Sequence, residues 1–241
     1  MALPTNLGTE SIRRLLRQYA VPAIVAMTAS SLYNMIDSIF IGQGVGPLAI
    51  SGLAVTFPFM NLAAAFGALV GVGASTIVSV KLGQKDYASA RKALGNVVAL
   101  NIIIGVMFMV VSLLFLDKIL LFFGASENTL QYAREYMEII LYGNVVTHMY
   151  LGLNAVMRWG GHPQRSMAMT ILTVILNAIL DPIFIFVLDW GIRGAAIATI
   201  LAQIVALAWI LISFTNKQEM LHFEAGIFKL DRRIVTASLS I

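Results

Sequence analysis

The sequence predicts an all-α integral membrane protein: a bundle of six transmembrane helices with both ends on the cytoplasmic side. Three observations carry that prediction. Of 241 residues, 59% are hydrophobic and 12% charged, with a mean hydropathy of +0.86, whereas a soluble domain has about 45–50% apolar and about 25% charged residues. A water-soluble fold of this size cannot hide so much apolar surface, so the solvent is lipid. Six runs reach the about 20 mostly apolar residues that a spanning helix needs. Basic residues then fall almost wholly on one side of these runs, the side that faces the cytoplasm.

The spans are expected at 18–43, 48–80, 93–116, 128–157, 166–189 and 194–215, and each gap has its own punctuation. Gly44, Gly46 and Pro47 separate the first two. Gly83 through Asp86 form the next turn, a “GQKD” stretch without phosphate-loop spacing. Gly124 precedes Ser126, an expected N-cap for the fourth helix. Gly160, Gly161 and Pro163 close that helix, and Gly191 and Gly194 divide the last two. With six crossings, only Lys118, Arg134 and Arg193 fall outside, leaving thirteen of the sixteen basic residues inside. A misplaced span would scramble that division.

The apolar run after the three N-terminal arginines is too long for a signal peptide and lacks its cleavage site. Residues 1–17 therefore read as a cytoplasmic segment, 18–215 as the six-helix unit, 216–230 as a cytoplasmic interfacial linker and 231–241 as the start of a truncated seventh helix. The linker's Met220, Leu221, Phe223, Ile227, Phe228 and Leu230 lie among charged residues and suit the interface; a plain tether is the alternative. The absence of cysteine removes disulfides and Cys-based metal sites. The net charge of +4 is dispersed over short loops, which is membrane topology and not a nucleic-acid face.

Ionisable residues at membrane depth are expensive and usually face the bundle interior. Two acids lie well inside spans, Asp37 and Asp181. At 1.5 Å per residue, Asp37 is about 9 Å and Asp181 about 12 Å from the outer end of its helix, and Thr199 is about 8 Å into the sixth. Asn177 is one turn from Asp181, and Tyr33 and Asn34 are one turn from Asp37, on the same faces. Carboxylates among amide and hydroxyl oxygens can hold a proton or Na⁺. The alternative is that each acid merely pins helices together. “DSIFIGQGVGPLAISGLAV” from Asp37 and “DPIFIFVLDWGIRGAAIAT” from Asp181 share Asp-x-Ile-Phe-Ile and a Gly-containing turn, as two copies of a duplicated unit do.

Other residues have plainer readings. Pro22 bends the first helix near its cytoplasmic end and offers a hinge, and Pro182 is tolerated as a local bend. His148 is a proton-relay candidate or a packed core histidine. Glu135 and Glu138 are solvated near an outer helix end. The twelve methionines form an adaptable wall or ordinary packing.

“YNMIDSIFIGQ” around Asp37, the “GVGASTIVSVKLGQKDYASARK” hairpin, the “MRWGGHPQRSM” loop and “NAILDPIFIF…GIRGAAIAT” occur in that order. Together they resemble the amino-terminal half of a multidrug and toxic compound extrusion (MATE) transporter, from about Tyr19 onward. The resemblance implies two six-helix lobes in an inner (plasma) membrane, exporting cationic, amphipathic drugs in exchange for H⁺ or Na⁺, without a cofactor. It implies a coupling-ion site of Asp37, Asn177, Asp181 and Thr199, with Na⁺ a candidate ion at the two acids. Tyr33, Tyr136 and Asn154 would line the surrounding polar network, and Pro22 matches the family's hinge proline. The implied partners are drug molecules, lipid and a missing carboxy-terminal lobe.

Three other readings compete. An intramembrane aspartyl protease also pairs two acids, but its Tyr-Asp and Gly-x-Gly-Asp signatures do not surround Asp37 or Asp181. A lipid-linked oligosaccharide flippase would need basic residues at the level of the acids. An inactive orphan lobe is the third.

Overall fold

Glycine and proline interrupt the apolar runs, and the chain turns where they fall. The computed structural model describes residues 11–224 and 226–239. Its first two helices, α1 (Ile12–Gly44) and α2 (Pro47–Gly83), have 33 and 37 residues. At 1.5 Å per residue they are about 50 and about 55 Å long. The hydrocarbon core is about 30 Å thick, so both extend past it or tilt within it. Gly46 makes the turn between them at φ +118°, a conformation that disfavours side chains. Pro47 follows at the first helical position, where a missing N–H is harmless.

α3 (Tyr87–Leu114) begins at Asp86, whose Oδ1 accepts from the Ser89 amide at 3.2 Å. Hydrogen bonds from Ser89, with Lys81 at 3.4 Å behind them, hold the Asp86 carboxyl below the ordinary aspartate range. After α3 comes a short helix that the sequence did not predict, α4 (Leu116–Phe122). It buries Leu116 and Leu120 and exposes Phe122, and seven residues are too few to cross a membrane.

The fourth run, expected as one span, is two helices, α5 (Glu127–Tyr142) and α6 (Asn144–Trp159), bent by 59° at Gly143. The expected cap is present: the Ser126 amide donates to Thr129 Oγ1 at 2.9 Å. The residue at the bend is closely packed. A Cβ on Gly143 would collide with the side chain of Ile200, in α8 (Gly191–Thr215).

α7 (Pro163–Pro182) passes into a π turn at Ile183–Val187. Proline has no N–H for the carbonyl four residues back, and the chain continues with wider winding, Leu188 N–H donating to the Ile183 carbonyl at 2.9 Å. Five helices and the bent pair are long and apolar enough to cross a membrane, which matches the six predicted crossings.

The α2–α3 turn, the α6–α7 turn and the segment after α8 gather at one end, here called the basic end. There the 216–230 segment, without helix among its described residues, folds onto the bundle and buries Leu221 and Ile227. Glu219 accepts from Arg165 at 3.0 Å and lies 3.3 Å from His162. Burial, with Arg165 alongside, holds that imidazole below its ordinary range. Glu224 pairs with Arg91 at 3.4 Å. α9 (Arg232–Leu239) lies against α2. Residues 1–10 of the expected cytoplasmic segment, and 240–241 of the expected seventh helix, lie outside the described residues.

The buried apolar side chains form two clusters. One, around Val78, Leu94, Leu153 and Ile210, fills the basic end; the other, around Leu53, Leu120, Met137 and Ile192, fills the far end. Between them α2, α6 and α8 carry Asn61, Asn144, Thr147, Thr199 and Gln203. Two oily plugs thus enclose a polar middle layer, and that layer positions the site.

Candidate functional site

α1 and α7 pack side by side and bring Asp37 and Asp181 together across the chain. The two are 3% and 0% exposed, and their carboxyls are within hydrogen-bonding reach of each other. Asn177, one turn before Asp181, donates from Nδ2 to Asp181 Oδ1 at 3.0 Å and reaches Thr199 Oγ1 at 3.4 Å. The Tyr33 hydroxyl is 2.8 Å from the same Thr199 oxygen, and Tyr136 is buried beside this group. Thr199 is therefore the hub joining α1, α7 and α8.

Three buried oxygens at this level have no donor among the described residues: Asp37 Oδ1, Asp181 Oδ2 and Asn177 Oδ1. Leaving a buried acceptor unsatisfied is costly, and a buried carboxylate more so. The donor set is wholly oxygen, which suits a proton, turning one carboxyl into a donor, or a hard cation such as Na⁺. No cluster of three His, Cys, Asp or Glu side chains occurs among the described residues.

Beside the acids is a chamber of about 350 Å³, lined by amides and hydroxyls including Asn34, Asn61, Asn144, Asn177, Thr199 and Gln203, with Phe57 and Met60 as apolar wall. No Lys or Arg lines it. Thr147 Oγ1 donates to Gln203 Oε1 at 2.5 Å, tying α6 to α8. Thr173 Oγ1 donates to the Tyr150 hydroxyl at 3.3 Å, tying α7 to α6. A second chamber of about 440 Å³ adjoins the first toward the basic end, sharing Ser30, Tyr150, Leu151 and Thr170.

The MatE family profile matches residues 22–183, most of the six-helix unit. The chain belongs to the MatE family. It is 31% identical to the multidrug export protein MepA of Staphylococcus haemolyticus over 213 residues, covering 88% of this chain and 47% of that protein. To MepA of Staphylococcus aureus it is 27% identical over 223 residues, covering 92% and 49%. Among solved structures, a MATE protein in the bent conformation superposes with a TM-score of 0.90 at 27% identity, covering 99% of this chain and 53% of that one. The chain spans about half the length of the curated relatives it matches. It has the architecture of one six-helix MatE lobe and is a multi-pass membrane protein.

Within this MatE lobe the residues expected from depth and from the resemblance come together unequally. Asp37, Asn177, Asp181, Thr199 and Tyr33 form one connected group, with Tyr136 buried beside it. Asn34 is exposed on the chamber wall, and its side chain has no hydrogen bond to that group. Asn154 stands apart: it is buried against Ser166, whose Oγ donates to Asn154 Oδ1, and it lines the second chamber. The reason is helical rise: Asn154 lies in the last turns of α6, at the basic end. Pro22 is buried inside a continuous α1. His148 is buried against Gly67 and Phe108 and is not on the chamber wall. Glu135 pairs with Arg193 at 3.3 Å. Sequence reading passed over Asn61, Asn144, Thr147 and Gln203, although Asn144 and Thr147, and Thr199 and Gln203, have the i, i+3 and i, i+4 spacing of a shared polar face.

Proposed function

We propose that this lobe couples the export of cationic, amphipathic drugs to the inward movement of H⁺ or Na⁺, with Asp37, Asn177, Asp181 and Thr199 as the coupling-ion site. One observation carries the reading: two acids from different helices meet in a buried layer, oxygens unsatisfied, next to an uncharged polar chamber. A proton or Na⁺ supplies what those oxygens lack. A cationic drug would occupy the adjoining chamber, its charge facing the acids and its rings against Phe57 and Met60.

Antiport requires that ion and drug favour different states of the lobe. Neutralising the acid pair removes the negative field that attracts a cationic drug. It also alters the contact between α1 and α7, for which Pro22 is the proposed hinge. A carboxy-terminal six-helix lobe would supply the opposite wall of the drug pathway. The basic bias of the loops supports a cytoplasmic location for both ends of the lobe in an inner membrane. The flippase reading requires cations beside the acids, and the chamber there is lined by neutral side chains.

The test is gradient-driven drug export by the full-length protein in proteoliposomes, under an imposed pH or Na⁺ gradient. Asp37→Asn and Asp181→Asn are each expected to slow it about tenfold or more, equivalent to about 1.4 kcal/mol of lost coupling free energy. If both variants export at the normal rate under either gradient, the assignment fails.

A further inference from the structure

The second chamber differs from the first in one respect: it holds a cation. Arg158, in the last turn of α6, is half-buried on its wall beside Trp159. The Arg158 Nε–H donates at 3.2 Å to Ser166 Oγ, and Ser166, fully buried, donates in turn to Asn154 Oδ1. Asn154 Nδ2 returns a bond to the Ser166 carbonyl at 3.4 Å, and Ser79 Oγ fixes the end of α6 through the Trp159 carbonyl at 3.0 Å.

The guanidinium is thus pinned by its Nε edge. Among the described residues no carboxylate lies within 4.0 Å of it, and its terminal nitrogens make no hydrogen bond there. Arg91 and Arg165 at the same end, and Arg134 and Arg193 at the far end, all have acidic partners. A planar guanidinium with two free, pre-oriented N–H groups matches the two oxygens of a carboxylate or phosphate. The rest of the lining is mixed: Ala26, Met27, Ala68, Val72, Leu151 and Ala155 give it an apolar wall, and Ser30, Ser31 and Thr170 add neutral hydroxyls.

We infer that this chamber is a binding site for an acidic headgroup attached to an apolar or aromatic body, with Arg158 as the anion-recognising residue. It is separate from the acid pair: Thr170 on its wall is eleven residues from Asp181 along α7, about 16 Å at 1.5 Å per residue. A ligand of this chemistry is either a soluble amphipathic anion or an acidic phospholipid whose chains enter between the helices. The lobe would then have one chamber suited to cations and one to anions, and a zwitterion could span both.

The experiment uses the full chain in phosphatidylcholine nanodiscs, with naphthalene-2-carboxylate and its neutral carboxamide as probes. Wild type is expected to bind the carboxylate about tenfold more tightly than the carboxamide, in line with a bidentate charge-assisted pair. Arg158→Gln should abolish the preference and leave carboxamide binding intact. Ser166→Ala, which keeps the cation and frees its Nε, should weaken the preference and guards against a misfolded Gln variant. Discs containing phosphatidylglycerol separate the sources. If the lipid is the ligand, they raise the melting temperature of wild type but not of Arg158→Gln, and they displace the naphthoate. A carboxylate preference and a phosphatidylglycerol effect that are both unchanged in the two variants overturn the site. Asp37→Asn is expected to leave the preference unaltered, so this site and the coupling site fail independently.

Discussion

The hairpins that start at Asp37 and Asp181 share Asp-x-Ile-Phe-Ile, yet they hold their acids differently. Offset by the same interval, Tyr33 of α1 corresponds to Asn177 of α7, and both reach Thr199. Only Asn177 also touches its own acid. Thr199 itself belongs to the second hairpin alone, because the matching position of the first is Val55. Ile41 and Ile185 are buried equivalents, at 0% and 2% exposed, while Phe40 meets Phe186 edge-on at 6.2 Å. The two hairpins thus share the apolar anchor and differ in their polar ligands. The acid of α7 has a partner on its own helix, whereas Asp37 sits on a helix whose only other buried residues are Pro22, Ala26 and Ile41. With no partner on its own helix, Asp37 is the more weakly held acid of the pair.

The largest effect short of removing an acid should come from breaking this asymmetry. Asn177→Ala removes a hydrogen bond to Asp181 and a link to Thr199. A bond to a charged group is worth about 1.5–3 kcal/mol, so affinity for the coupling ion should fall about tenfold or more. Tyr33→Phe removes a neutral bond to Thr199 only, and should cost a few-fold. Ion-induced quenching of Trp fluorescence, titrated in each variant, measures both. Equal losses would mean that the two hairpins hold the ion symmetrically.

How much of this was legible in the sequence follows from the range over which each cause acts. Six crossings could be read because lipid demands an apolar run of fixed length, and only sequence-local length and composition are involved. The two acids and Asn177 could be read because charge at depth is expensive and i, i+4 neighbours share a face. Thr199 was reached by depth alone. Tyr136 entered through family resemblance, since nothing local places it beside that group. The break at Gly143 is not legible locally, because a lone glycine in an apolar run looks like any other and its close neighbour, Ile200, is far away in the chain. Asn154 was grouped with the acids by resemblance, and its place near the basic end put it with Arg158 instead. The cationic chamber was invisible because an arginine near a helix end looks like any loop arginine until its neighbours are known.

A second break in the comparison concerns contact between the hairpins. A Cβ on Gly44 would meet Ile185 and come within 2.9 Å of Phe186, so Gly44→Ala forces the two turns apart. Overpacking of this kind costs about 1–3 kcal/mol. The melting temperature should fall, and more than for alanine at Gly83, whose Cβ position is open. A similar drop at both sites would show that helix-end glycines matter here for backbone freedom and not for close approach.

The smallest effect is expected from Pro182→Ser, which copies Ser38 of the first hairpin into the second. The new N–H can donate to the carbonyl four residues back, a gain of about 1 kcal/mol at most, so equilibrium stability should barely change. The winding should change more. If the missing donor causes the π turn, α-helical hydrogen bonding should extend past residue 182, and amide exchange at 183–188 should slow relative to the parent. If exchange there stays the same, the wide turn is held by the packing of Ile185 and Phe186 against Gly44 and Phe40. The proline would then be a residue that the turn tolerates, and the two hairpins would differ because of what they touch, not because of how each is locally built.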